Sequence, residues 1–276
     1  MRQNALLGFS NFSLQAKNVT KPGLPAERIT VSAFDYVSGE SISLHSHRRG
    51  QLIHAISGVM EIVAEDRLWR IPPQRAVWIA PNVPHQMRAL AAVELRTAYI
   101  PPDLVDQRFG TGTQVITVSP LLRELVLRSV QPEARDSALH TQMLELLKAE
   151  LEFLLEKSST DYSVPLPRNK DRRLEKICQA LLNDPGNRLS LEDWAAEIGA
   201  SVRTLARLFQ SEFGMTFLNW RQNVRVVAAL NMLEQGQPVT TIAGDLGYET
   251  PTAFTNMFRK VTGKLPKDYL SKPNKR

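Results

Sequence analysis

Two groups of residues in this sequence are placed to do chemistry. The first is a set of imidazoles: four of the five histidines, His45, His47, His54 and His85, fall within the 41 residues from 45 to 85. On a strand, positions i and i+2 face the same way, so His45 and His47 converge on one side as candidate metal ligands. His54 has the opposite parity and reads as an outward or packing side chain, and His140 reads as a surface residue. The second group is polar and basic, and it occurs twice. One segment offers Ser201, Arg203, Thr204 and Arg207; another offers Thr250, Thr252, Thr255, Asn256 and Arg259. Arginine can pair bidentately with guanine and asparagine with adenine, while threonine can meet a thymine methyl or a phosphate. Lys260 and Lys264 follow as expected phosphate contacts.

An internal repeat, offset by about 48 residues, positions the second group. Ala195-Ala196-Glu197-Ile198-Gly199 matches Ala243-Gly244-Asp245-Leu246-Gly247. Leu205 and Phe209 match Phe254 and Phe258, with one extra residue in the second copy, and Gly214 matches Gly263. Each copy reads as a short helix, a glycine turn and a second helix. A small Ala lets the helices approach, and Gly permits the tight turn between helices crossing near a right angle. The second helix buries its Leu and Phe positions and frees the opposite face for a major groove. Between the copies, Thr216–Gln235 carries an apolar stripe of Phe217, Trp220, Val224, Val227, Leu230 and Leu233, which predicts one continuous helix. Such a stiff connector directs two recognition helices into successive major grooves, about 34 Å apart.

The histidines need a different frame. Ile29–Tyr36, Gly50–Ile56, Val59–Val63, Ala76–Ala80 and Val93–Tyr99 are rich in β-branched and aromatic residues and are separated by turn signals such as Ser57-Gly58 and Pro81-Asn82. Short strands at this spacing predict a small sandwich or barrel over residues 28–100. Trp69, Trp78, Tyr99 and Met60 supply its core or the apolar wall of a pocket. Helical periodicity follows over Pro120–Val130 and Ser137–Lys157. In the latter, Leu144, Leu147, Leu151 and Leu154 form a packed seam, and Leu139, Met143 and Leu146 an adjoining stripe. Two apolar faces serve either one intradomain core or one core and a partner copy. Residues 158–170, with Ser, Thr, Asp and two prolines, read as a linker, and everything from Asp171 onward reads as helical.

Bulk properties agree with two modest domains in 276 residues, bounded at 1–157 and 171–276. The charge is uneven: residues 1–167 hold 17 Lys+Arg against 17 Asp+Glu, and residues 168–276 hold 17 against 11. The net charge of +6 therefore sits in the C-terminal part, as a phosphate-binding surface requires. The sole cysteine, Cys178, lies at helical spacing with Leu174, Ile177, Leu181 and Leu182 and reads as a buried thiol. No apolar run reaches membrane-spanning length and no export signal is evident, so a cytoplasmic protein without membrane association is expected. Phosphate-binding Gly loops, a Ser-His-Asp arrangement and a paired-Cys zinc site are not evident.

Residues 171–276 resemble the AraC/XylS-type DNA-binding domain. The matching string is Ser201-x-Arg203-Thr204-Leu205-x-Arg207-x-Phe209 with Glu212 and Gly214, then Trp220, Arg225, Ala229 and Leu233. It continues through Val239-x-x-Ile242-Ala243-x-x-Leu246-Gly247-Tyr248, Ala253-Phe254-x-x-x-Phe258-Arg259-Lys260 and Gly263-x-x-Pro266-x-x-Tyr269. Phe217 departs from the family's usual proline, which bears on how that helix starts. The resemblance implies a sequence-specific transcriptional regulator, more often an activator, that binds double-stranded promoter DNA and RNA polymerase. It makes Arg203, Arg207, Thr252 and Asn256 the foremost base readers. It also implies an N-terminal domain that senses a small-molecule effector or forms a homodimer.

The histidine spacing, Gly39-x5-His45-x-His47-x3-Gln51-x6-Gly58 with a later Pro81-x-x-x-His85, resembles the cupin metal motif. That resemblance implies His45, His47, Gln51 and His85 as ligands of Zn, Ni, Mn or Fe. Gln51 stands where the motif has glutamate and Asn82 where it has glycine, so a bound metal, a metal-free ligand pocket and vestigial histidines all stay open. The expected architecture is α+β: an N-terminal cupin-like β-barrel with following helices at about 119–157, then an all-α domain with two helix-turn-helix units. A cupin metal-dependent dioxygenase or isomerase fused to a DNA-binding module is the competing reading, which the loss of the carboxylate at Gln51 argues against; a non-enzymatic regulator is the leading one.

Overall fold

A computed structural model describes residues 17–18, 28–132, 138–158, 162–169 and 171–269. Two units emerge, one formed by 13–65 with 70–161 and one by Asp66–Trp69 with the residues from Tyr162 onward.

The first unit is built on strands β1 (Lys17–Asn18), β2 (Thr30–Tyr36), β3 (Ser41–Ser46), β4 (Gly50–Ser57), β5 (Met60–Ala64), β7 (Arg75–Ile79), β8 (His85–Ala89), β9 (Val93–Ile100) and β10 (Thr113–Thr117), while β6 (Arg67–Ile71) is divided between the units after Trp69. One sheet runs β10-β7-β4-β9-β2 and is antiparallel throughout; the other sets β1, β3, β8 and β5 side by side in that order. Strands β1, β3, β6, β8 and β10 go beyond the ranges expected, although β3 carries His45 on a strand as the spacing required. In β6, β8 and β10, charged or polar residues such as Arg67, Arg70, His85, Arg88 and Gln114 mask the alternation that marks a half-buried strand. β10 pairs with β7 along its whole length, so the sheet extends past residue 100 to Thr117.

Parity within β4 and β9 decides what faces what. Leu52, Ala98 and Ile100 join Trp78, Phe109 and the helices in one apolar core, and Trp78 packs on Phe109 at 4.9 Å between ring centroids. Trp78 is therefore core beneath the helices and not a pocket wall. Gln51, Thr97 and Tyr99 alternate with those residues and project from the opposite face, where they meet one another.

Helix α1 (Pro120–Ser129) is capped by Ser119, and α2 (Ala138–Glu156) follows. The buried line of α2 is Met143, Leu147, Leu151 and Leu155, with Leu144 and Leu154 partly covered. The expected seam is thus shifted by one residue at both ends, because leucines stand on either side of the true axis. Leu139, Leu146 and Phe153 stay exposed, at 57%, 47% and 49%. His140 is half-buried, not superficial, because it lies one turn before Leu144 at the margin of the covered face.

The second unit is helical: α3 (Arg172–Asn183), α4 (Leu191–Ile198), α5 (Val202–Phe213), α6 (Phe217–Glu234), α7 (Val239–Asp245) and α8 (Pro251–Thr262). Sequence chemistry sets the boundaries. Asp171, Ser190, Ser201, Thr216 and Thr250 each cap the helix that follows, and Ser190 with Asp193 completes a capping box. Thr216 thus supplies a regular start to α6 although Phe217 replaces proline. Gly199 ends α4 in the left-handed region, at φ 70°, and turns the chain into α5. Helix α6 serves two cores. Its first turn packs Phe217 and Trp220 on Phe209 of α5, and its second half packs Ala229, Leu230 and Leu233 with Ile242, Phe254 and Phe258. Cys178 is buried in α3.

The described part of the segment read as a linker, 162–169, is held along this unit. Trp220 Nε1 donates to the Pro165 carbonyl at 2.9 Å, the Tyr162 and Tyr269 hydroxyls meet at 2.7 Å, and Glu212 accepts from the backbone amides of Arg168 and Asn169. Among the described residues, no helix is long and apolar enough to cross a membrane.

Candidate functional site

The two repeated units present their second helices, α5 and α8, in the same way. Leu205 and Phe209 are fully buried in α5, one turn apart, and Phe254 and Phe258 are fully buried in α8 at the same spacing. In α5, Arg203 and Arg207 are exposed one turn apart on the far side. Neither forms an ion pair among the described residues, so both guanidiniums keep their fork of donors for a partner. In α8, Thr252, Asn256, Arg259 and Lys260 are exposed, and α8 contains no acidic residue. Lys264 is exposed just beyond the helix end, with Nζ 6.0 Å from the Tyr269 ring centre.

Three of the expected contacts, Ser201, Thr204 and Thr250, make bonds inside the fold. Ser201 Oγ accepts from the Thr204 amide at 3.0 Å and lies 2.8 Å from Thr204 Oγ1; Thr250 Oγ1 accepts from the Ala253 amide at 3.1 Å. Thr204 and Thr255 are half-buried. Caps of this kind expose the remaining free amides of a first helical turn, which favour an anion such as a DNA phosphate.

In the first unit the structure brings His45, His47 and His85 together, with ligating atoms all within 4.8 Å of one another. His45 and His85 stand directly opposite each other on β3 and β8, and a bulge between Ile42 and His45 sets that register. Asn82 adopts φ 64°, the conformation glycine would take in the motif, and its amide donates to the His47 carbonyl at 2.8 Å. Asparagine tolerates this region, so the replacement keeps the turn that delivers His85.

Hydrogen-bond partners fix the state of the rings. Nδ1 of His45, His47 and His85 lies 2.9, 2.6 and 2.9 Å from the carbonyl oxygens of Ser43, Arg49 and Val83. A carbonyl only accepts, so each Nδ1 carries a proton, and a ring in its neutral form keeps its lone pair on Nε2. Burial, helped by the neighbouring His45 and His47, pushes His85 down to about 3, so it stays neutral. Gln51 Oε1 lies 2.9 Å from His47 Nε2 and 3.1 Å from His85 Nε2, while Gln51 Nε2 donates to Thr97 Oγ1 and Tyr99 Oη. With the rings neutral, lone pairs would meet lone pairs in that orientation; a cation held jointly, a reversed amide that donates to both rings, or a proton on a ring Nε2 each satisfies these atoms. The donor set of three imidazoles and one amide oxygen fits a divalent ion of the later first-row series.

Tyr99 completes the wall. Its ring stands edge-on to His47 at 5.5 Å, and burial together with Tyr36 raises its hydroxyl to about 12. Thr97 is a member of this group that sequence reasoning missed, although its parity with Tyr99 on β9 marks it. His54 takes no part: it is buried on the opposite face and its Nε2 pairs with the Pro73 carbonyl at 2.9 Å. Of the four candidate wall residues, Trp69 and Met60 are buried core, and only Tyr99 meets the histidines.

Comparison with known proteins covers both units. Residues 194–272 match the family described as "Helix-turn-helix domain", and residues 33–144 match "AraC-like ligand binding domain". The HTH-type transcriptional regulator NimR of Escherichia coli is 32% identical over 231 residues, 83% of this chain and 82% of that protein. The HTH-type transcriptional activator RhaR of Klebsiella pneumoniae is 22% identical over 258 residues, 88% of this chain and 92% of that one. Among solved structures, ToxT from Vibrio cholerae aligns with 88% of this chain and 97% of its own at 11% identity and a TM-score of 0.38.

Proposed function

The chain belongs to the AraC family of helix-turn-helix transcriptional regulators, and on that premise we propose that it activates transcription as an effector-responsive homodimer. As a member of that family it is a sequence-specific DNA-binding regulator with a ligand-binding N-terminal domain. In the proposed division of labour, Arg203, Arg207, Thr252 and Asn256 read bases. Ser201, Thr204, Thr250, Thr255, Arg259, Lys260 and Lys264 hold phosphates or flank the reading heads, and RNA polymerase is the downstream partner. The observation that carries the reading is the pairing of buried Leu205/Phe209 and Phe254/Phe258 with exposed polar and basic side chains on the opposite faces of α5 and α8.

Homodimerisation is supported by Leu139, Leu146 and Phe153, which stand exposed on α2 at seven-residue spacing, as a helix seam requires. The effector site is placed at the histidine centre of the first unit. There His45, His47, His85 and Gln51 would hold a divalent ion such as Zn or Ni, which would supply a Lewis-acidic point for an oxygen- or nitrogen-bearing effector. The metal reading is supported by the gathering of His45, His47 and His85, whose ligating atoms lie within 4.8 Å of one another while each Nδ1 is held by a carbonyl. Among the described residues no carboxylate joins this centre, which supports a sensor over an oxygenase or isomerase.

A fluorescence-anisotropy titration of the full chain against DNA from its own upstream region tests the regulator. Binding at least about a thousandfold tighter than to scrambled duplex at moderate salt is expected. Equal affinity for both across a salt series overturns it.

A further inference from the structure

The apolar stripe of α6 does not account for two of its arginines. Arg225 is only 6% exposed, and Arg221, one turn earlier, is half-buried. No carboxylate pairs with either among the described residues. Their partners are backbone carbonyls of the loop that leads into α4. Arg221 Nη1 donates to Leu189 at 2.9 Å, and Arg225 donates from Nε to Pro185 and from Nη2 to Asn187, each at 3.0 Å. The guanidinium of Arg225 also lies 4.9 Å from the centre of the Tyr248 ring, in the turn between α7 and α8. One side chain thus grips the entrance of the first helix-turn-helix unit and the turn of the second.

The two loops also touch directly. A Cβ on Gly247 would fall 2.3 Å from the Gly186 carbonyl oxygen, and a Cβ on Gly186 would fall 2.2 Å from that of Asp245. Only glycine allows this backbone-to-backbone approach. From Tyr248 the contact passes to Phe254, at 5.7 Å, inside the second recognition helix. The two units are therefore joined twice, once by the shaft of α6 and once by this brace. With the α6 packing as the sole link, bending of that helix or a shift of α7 and α8 against it would re-aim the far unit. Over a span of about 34 Å, a pivot of about 6° moves the far helix by about 3.5 Å, the rise of one base pair.

We propose that Arg225 is a positioning residue that fixes the distance and phase between the two recognition helices, and so sets how many base pairs separate the half-sites this chain accepts. The proposal rests on the reading of α5 and α8 as the DNA-contacting helices. Arg225 reads no base itself. A lysine keeps the charge but cannot present two donors of a fixed fork to two carbonyls.

The test uses the full chain and a bipartite duplex selected by it from a random pool, with one base pair added or removed between the half-sites. Wild type is expected to lose at least about tenfold in affinity for either change. Arg225→Gln is expected to bind the selected duplex more weakly but to lose less than about threefold on changing the spacer, with Arg225→Lys between the two. Equal fractional losses on all three spacers by both variants overturn the proposal, because a merely structural residue lowers all affinities in parallel. A wild type indifferent to spacing overturns it as well. If Arg225→Gln lacks a cooperative melting transition, Arg225→Lys decides by the same criterion. Selection of no sequence above the starting pool sinks the reading of α5 and α8 instead, which keeps the two failures apart.

Discussion

Replacing Arg207 by Ala separates base reading from mere attraction to DNA. Arg207 is exposed on α5, one turn after Arg203, on the side opposite the fully buried Leu205 and Phe209. It has no ion pair among the described residues, so its loss costs the fold less than about 0.5 kcal/mol. Any change in affinity then belongs to the DNA contact. A bidentate arginine–guanine pair is worth about 1–3 kcal/mol of discrimination, or about 5- to 150-fold. Lys264 supplies the control, since it stands beyond the end of α8 and reaches a phosphate at most. Lys264→Ala should weaken specific and scrambled duplexes by the same factor and lower the salt slope by about 0.9. The assay is anisotropy of the full chain on both duplexes between about 50 and about 200 mM salt, where non-specific affinity changes most steeply. Arg207→Ala should lose affinity mainly for the specific duplex. If both variants lose equally on both duplexes, α5 does not read bases and the assignment is wrong.

Three further outcomes are expected. Protein purified without a histidine tag should bind about one Zn or Ni per chain by elemental analysis, His85→Ala should abolish this, and Gln51→Glu should tighten it by restoring a charged oxygen ligand; metal-free protein that takes up none on addition contradicts the centre. Glu in place of both Leu146 and Phe153 should convert a dimer to a monomer in sedimentation velocity while leaving the melting temperature within about 2 °C, because both side chains are exposed; an unchanged sedimentation coefficient argues against the α2 seam. Trp220→Phe removes a fully buried indole and orphans its bond to the Pro165 carbonyl, so stability in urea should fall by about 2–4 kcal/mol, and a loss under about 1 kcal/mol contradicts the packing of 162–169 on α6.

What the sequence made legible follows from how local each constraint is. The helix-turn-helix units were readable because their needs are short-range: small residues at Ala195 and Ala243, a turn at Gly199 and Gly247, and buried pairs one turn apart at Leu205/Phe209 and Phe254/Phe258. The meeting of His45, His47 and His85 was legible through spacing alone, although the protons that turn their lone pairs inward depend on carbonyls the sequence does not point to. Non-local facts were hidden. Trp78 faces the helices because α1 and α2 cover that side of the sheet, which no strand pattern states. Arg225 lies on the arc of α6 beside Val224, but its burial depends on a loop some 40 residues upstream. In α2, leucines on both sides of the axis left the phase open by one residue, and only packing chose Met143 and Leu155.

In the proposed mode of binding, one chain reads two successive major grooves with unlike heads, arginines first and then threonine and asparagine. Hydroxyl-radical and guanine-methylation footprinting of the full chain on its selected duplex tests it most directly. Two protected patches on one face, about one helical turn apart, with guanine protection confined to the patch that Arg203→Ala and Arg207→Ala erase, is the predicted result. A single protected groove, or two patches that both survive those substitutions, contradicts it.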